Sequence, residues 1–148
     1  HGLSIACGMA LADKIDKIDR RIYVLLGDGE CQEGAVWEAA MFASHHKLSN
    51  LTAIVDYNSL QALGPTNEIL NLVPLDAKWR AFGWQTKNIN GHEIESVVNA
   101  LKQPQTGPRA IIARTVKGKG ISFMEKNPLW HYRAPNMEEY QGARNELG

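Results

Sequence analysis

An apolar run that breaks into Gly-Asp-Gly and resumes as a helix constrains this chain more than any other feature. Arg20 to Leu26 reads RRIYVLL, rich in β-branched and aliphatic residues, and GDGECQEG follows from Gly27 to Gly34. A strand entering a glycine turn that opens a helix is the layout of a phosphate site, because glycine lets the backbone come close to a ligand. Asp28 would repel a bare phosphate. It makes sense where a cation lies between the two, and its hard oxygens suit Mg²⁺ or Ca²⁺. Further on, a second strand-like run, LTAIVDYN, ends in Asn58, a neutral oxygen donor. Two strand ends side by side would offer Asp28 and Asn58 to one metal.

The rest of the chain alternates in the same manner. Periodicity and turn signals predict a helix over 3–18, a strand over 22–26, a helix over 35–47 and a strand over 51–56. A long loop over 59–74 carries the turn signal Gly64-Pro65, and a short helix over 75–82 closes at Gly83. A strand over 84–89, a helix over 93–102, a loop over 103–107, a strand over 109–115 and a final helix over 137–147 complete the order. Such alternation predicts an α/β fold, a mostly parallel sheet with helices on both faces. Ligands in such sheets sit beyond the carboxyl ends of the strands, where Gly27 to Gly29, Asn58 and Lys117 fall.

Composition narrows the function classes. With 148 residues, one domain over 1–148 is expected. Its 16 basic and 16 acidic residues cancel, and KGKG at Lys117 to Gly120 is too short to make a nucleic-acid footprint. No apolar run reaches the length of a membrane span, and no signal-peptide pattern is present. Cys7 and Cys31 are too few and too scattered for a disulfide framework or a zinc site. A cytoplasmic setting is expected. The chain opens HGLSIACGMALADKI without an initiator Met, at the threshold of a helix, which reads as a domain truncated at its N-terminus.

GDG followed about thirty residues later by Asn resembles the thiamine diphosphate motif of the transketolase family. The resemblance extends through GDGECQEGAVWEAAMFASHHKLSNLTAIVDYN, WRAFGW at Trp79 to Trp84, NGHE at Asn90 to Glu93, TVKGKGISF at Thr115 to Phe123, and Trp130-His131. It implies the thiamine diphosphate-binding fold and a diphosphate-binding role for Gly27, Asp28, Gly29, Glu30, Asn58 and His131. It also implies a divalent ion, Mg²⁺ or Ca²⁺ or Mn²⁺, on Asp28, Asn58 and the backbone carbonyl of Leu60. His131 would be the catalytic residue, approaching diphosphate and substrate oxygens, although Tyr132 stands where the family form has Gly. Glu33 of QEG would lie at a subunit interface; read alone, it is equally a solvated first-turn carboxylate.

The implied reaction is transfer of a two-carbon ketol unit from a ketose phosphate to an aldose phosphate, as in the pentose phosphate pathway. The Glu that activates the cofactor belongs to a pyrimidine-binding domain, which these residues lack. A partner is therefore implied: that domain or a C-terminal subunit, in a homodimer or an α2β2 heterotetramer. KGKG and Trp-His resemble the separate N-terminal subunits of split transketolases. Two other readings remain open at this stage: a non-catalytic or regulatory member, and a synthase or dehydrogenase component with another acceptor. Association is expected through Glu33 and the small-residue face Ala39, Ala40 and Ala43. His1, His45, His46, His92, Lys117 and Lys119 carry no assigned role; His45 and His46 read as ordinary mid-helix residues.

Overall fold

The computed structural model describes residues 1–148 in full. Four parallel strands form the main sheet: β1 (Ile22–Gly27), β2 (Leu51–Tyr57), β5 (Gln85–Asn90) and β6 (Arg109–Arg114), in the order β1-β2-β6-β5. The two central strands, β2 and β6, are the most buried, covered on both faces. Residues 109–113 of β6 are all buried.

Alternate side chains divide the strands between two cores. Ile22, Leu26, Leu51, Ala53, Val55, Ala110 and Ile112 face three helices: α1 (Gly2–Asp16), α2 (Gly34–His45) and α4 (Leu75–Ala81). Trp79 of α4 is fully buried there, its ring centroid 5.4 Å from Trp37 and 4.7 Å from Trp84. Ile89, Ile111 and Ala113 face the other way, onto Ala100 of α5 (Ile94–Lys102). Helices thus cover both faces of the parallel sheet. The cover is uneven, because Tyr23 and Leu25 of β1 stay exposed on the α5 side.

Several boundaries differ from the sequence expectation. The first helix stops at Asp16 because Lys17 turns left-handed and the Ile18 amide closes back on the Asp13 carbonyl. His45 ends α2 and His46 caps it, so neither lies mid-helix. The 59–74 segment is more ordered than a loop. It holds a hairpin of β3 (Leu60–Gln61) and β4 (Gly64–Pro65), then one helical turn, α3 (Thr66–Ile69). Elements this short carry no periodicity to read.

The small-residue face of α2 also has a different use. Val36, Ala39, Ala40 and Ala43 are buried within the chain. Ala39 accepts a bond from the Cys7 thiol of α1, and Ala40 accepts one from Trp84 Nε1 at 2.9 Å. Small side chains let α1 and Trp84 reach the α2 backbone. That face is therefore taken up internally and cannot be the docking surface expected for it. The last helix, α6 (Met137–Leu147), starts from a capping box between Asn136 and Glu139.

Candidate functional site

The carboxyl ends of β1 and β2 lie side by side, with Gly27 opposite Asp56 in register. The chain leaves β1 through Asp28 and Gly29 into a tight turn, Glu30–Gln32, before α2 begins. It leaves β2 through Asn58 and Ser59 into the hairpin. Ser59 adopts a left-handed φ of 64°, which folds the hairpin back over Asp28.

Asp28 is the centre of this arrangement. It is only 3% exposed. One carboxylate oxygen accepts from the Gly29 amide at 2.9 Å; the other accepts from the Ser59 amide at 2.7 Å and the Thr66 hydroxyl at 3.4 Å. No Lys or Arg pairs with it. Burial pushes its pKa above the usual carboxylate range, and the nearby Asp56 charge pushes the same way, against the pull of the Ser59, Gly29 and Thr66 donors. A buried carboxylate without a cation, beside a second carboxylate, is a place where a divalent ion would relieve the charge.

Asn58 lies at the same end. Its side-chain oxygen accepts from the Leu60 amide at 2.9 Å, and its nitrogen donates to Asp56 at 3.1 Å. Leu60 opens β3. The donor set of Asp28, the Asn58 amide oxygen and a nearby backbone carbonyl has the hard-oxygen chemistry of a Mg²⁺ or Ca²⁺ site. No group of three or more His, Cys, Asp or Glu side chains stands ready to hold an ion, so added oxygens from a ligand would complete such a shell.

The other expected residues fall around this centre. The Gly27 amide donates to Glu30 at 3.3 Å. At Gly29 a Cβ would stand 3.0 Å from Cβ of Gln61, so the hairpin itself demands a small residue there. Glu30 and Glu33 share a cavity of about 280 Å³ with Gly2 and Ser4 at the start of α1, and Glu33 is exposed. His131 ends a short turn, Pro128–His131, and is also exposed. That turn lies against Leu60–Gln61. It is braced by Trp130, which donates to the Phe123 carbonyl at 3.0 Å and stacks under Arg133. The structure thus ties Asp28 to Ser59, between Asn58 and Leu60 in the chain, and brings the His131 turn to the same hairpin. No hydrogen bond links His131 to Asp28 or Asn58.

Three contributors carried no assigned role in the sequence: Asp56, Thr66 and Thr115. Asp56 bonds both Asn58 and the Thr115 hydroxyl. Asp56 was visible as a polar residue at a strand end. Thr66 and Thr115 left no signal, because their roles depend on which strands become neighbours. A larger cavity of about 510 Å³ opens beside them, lined by Asp56, Asn58, His92, Thr115 and Lys117. The two thiols take no part: burial pushes Cys7 up to about 11 and Cys31 up to about 12, and both are free.

A parallel α/β sheet with oxygen ligands gathered at its carboxyl rim defines a ligand-binding domain of the doubly wound class. Residues 2–148 match the family model of the transketolase thiamine diphosphate binding domain. The chain is 48% identical over 149 residues to one subunit of the apulose-4-phosphate transketolase of Actinobacillus succinogenes, covering 99% of this chain and 54% of that protein. It is 45% identical over 150 residues to one subunit of the 6-deoxy-6-sulfo-D-fructose transketolase of a Clostridium species, again covering 99% and 54%. The crystal structure of transketolase from Campylobacter jejuni superposes with a TM-score of 0.92 at 33% identity, over 99% of this chain and 24% of that one. The chain belongs to the transketolase family, as its thiamine diphosphate binding domain. It spans about half the length of the curated relatives it matches. No helix is long and apolar enough to cross a membrane.

Proposed function

We propose that this chain is the diphosphate- and metal-binding component of a transketolase-type enzyme, which moves a two-carbon ketol unit from a ketose phosphate to an aldose phosphate. The observation that carries this reading is Asp28, buried without a cation beside Asn58 at the rim of a transketolase-family sheet. Asp28, the Asn58 oxygen and the Leu60 carbonyl would hold Mg²⁺, or Ca²⁺ or Mn²⁺ in its place, against the diphosphate. Gly27, Gly29 and Glu30 would line that end of the ligand. When bound, thiamine diphosphate supplies a nucleophilic carbon that the protein positions.

The chain's own contribution is binding and proton handling. An exposed imidazole at His131 can donate to diphosphate or sugar oxygens and relay a proton. The activating Glu would come from a pyrimidine-binding domain or C-terminal subunit, within a homodimer or an α2β2 assembly. The relatives named as subunits support the split arrangement. Glu33, exposed at the start of α2, is proposed to face that partner. Two free, buried thiols support a cytoplasmic setting.

The test is reconstitution. Ketol transfer is assayed for the chain alone and with a pyrimidine-domain partner, each with thiamine diphosphate and Mg²⁺. Turnover is expected only in the mixture. Full activity from the isolated chain, or none under any pairing that forms a stable complex, would overturn the proposal.

A further inference from the structure

Asp56 sits at the junction of three strand ends. Its backbone carbonyl accepts the Asp28 amide at 3.2 Å, just past β1. One carboxylate oxygen takes the Asn58 side-chain nitrogen at 3.1 Å, and the other takes the Thr115 hydroxyl, just past β6. The Thr115 amide in turn donates to the Tyr57 carbonyl at 3.2 Å. Thr115 cannot drift, because its methyl group packs on Gly91 so closely that a Cβ there would meet it at 2.5 Å.

This arrangement settles which way the Asn58 amide points. The Asn58 atom facing Asp56 is the nitrogen, which donates to the carboxylate at 3.1 Å. A backbone N–H only donates, so the atom facing the Leu60 amide, 2.9 Å away, has to be the oxygen. Two independent partners dictate one orientation. The difference matters for a hard cation, which binds the amide oxygen and gains nothing from the amide nitrogen.

We propose that Asp56, braced by Thr115, is a positioning residue that locks the Asn58 amide with its oxygen presented beside Asp28. This inference rests on the metal reading of the site given above. It adds a role for two residues to which the metal reading gives none. Partners of this kind tune metal affinity by orienting the ligands themselves, typically by about 10–100-fold.

The experiment measures Mn²⁺ affinity by electron paramagnetic resonance in the complete protein with its partner, at saturating thiamine diphosphate. The variants are Thr115→Val, Thr115→Ser, Asp56→Ala and Asp28→Ala. Valine keeps the methyl that packs on Gly91 and removes only the hydroxyl, so it isolates the hydrogen bond. Thr115→Val and Asp56→Ala are expected to weaken Mn²⁺ by about 10–100-fold. Thr115→Ser, which keeps the hydroxyl, is expected to stay near wild type. A second readout follows the Asn58 side-chain amide by ¹⁵N NMR: its two proton signals should be widely separated in wild type and Thr115→Ser, and should draw together in Thr115→Val.

Wild-type affinity in Thr115→Val, with binding lost in Asp28→Ala, would overturn the positioning role and leave the metal site standing. An equal loss in Thr115→Ser and Thr115→Val would also overturn it, by showing that packing matters instead of the hydroxyl. Failure of the wild type to bind Mn²⁺ would overturn the metal reading and this inference together.

Discussion

Two aspartates are almost fully buried in this chain, and they are handled in opposite ways. Asp13, at the last turn of α1, is 1% exposed and is gripped by both arms of the Arg20 guanidinium. That pairing holds its carboxyl below the ordinary carboxylate range. Asp28, at the end of β1, is 3% exposed and receives only neutral donors, so burial holds it above that range. The first charge is answered within the chain and fixes how α1 ends. The second has no basic partner within the chain. Groups whose protonation is strained by their surroundings gather where function is, and a buried charge without a partner costs stability. The contrast therefore separates a carboxylate with a basic partner from one without, and the proposed site falls on the second.

The largest expected effect follows from this contrast. Replacing Asp28 by Asn in the assembled enzyme should lower Mg²⁺-dependent turnover by more than about 100-fold, beyond what losing an indirect partner costs. Asp13→Asn should leave turnover unchanged. Steady-state assays across a Mg²⁺ titration distinguish the two. Equal losses would erase the distinction between the two carboxylates.

Next comes His131. Its Ala variant should lose about 10²-fold in kcat, the usual scale for a general acid or base, with metal affinity unchanged because its exposed imidazole makes no bond to Asp28 or Asn58. A change confined to cofactor affinity would make it a diphosphate holder alone.

Stability should then move in opposite directions. Without ligand at neutral pH, Asp28→Asn should raise the unfolding midpoint by a few degrees, since it removes an unanswered charge. Asp13→Asn should lower it, though Arg20 is 57% exposed and water weakens that pair. The pH dependence sharpens the point. A carboxyl with a raised folded pKa favours the fold below the ordinary carboxylate range and loses that contribution as pH rises through its folded value. A carboxyl with a lowered one favours the fold above the ordinary range and loses that contribution as pH falls through its folded value. On acidification the advantage of Asp28→Asn should therefore fade first, above the ordinary carboxylate range. The deficit of Asp13→Asn should fade only below it. Thermal melts over a pH series read both.

The smallest effect is expected at Glu33. Glu33→Gln should change the stability of the isolated chain by no more than about 0.5 kcal/mol, as exposed substitutions do, while weakening association with the partner. Sedimentation of the two together checks it.

The placing of Asp28 and Asn58 at one rim was legible in the sequence, because it depends on local pattern. Asp28 and Asn58 end two apolar runs, and a parallel sheet puts such ends together whatever the details. The strands and long helices were legible for the same reason, since the apolar character of RRIYVLL and LTAIVDY shows in their composition. What stayed hidden depends on non-local contacts. The 60–65 hairpin is only two residues wide on each side, so no pattern announces it. Ser59 takes a left-handed φ that its residue type does not advertise. Thr115 reaches Asp56 only because β6 lies between β2 and β5, an order that alternation alone leaves open. The stripe Ala39, Ala40 and Ala43 was correctly seen as one face of a helix. Its partner was not, because small residues suit close packing on α1 as well as on a second protein.

The central claim is that Asp28 is a charge kept for a cation that accompanies a diphosphate. Isothermal calorimetry of thiamine diphosphate binding, with and without Mg²⁺, on the assembled wild type and on Asp28→Ala, tests it most directly. Mg²⁺ is expected to tighten binding strongly in wild type and to have no effect in Asp28→Ala. Equal affinity in all four titrations would contradict it.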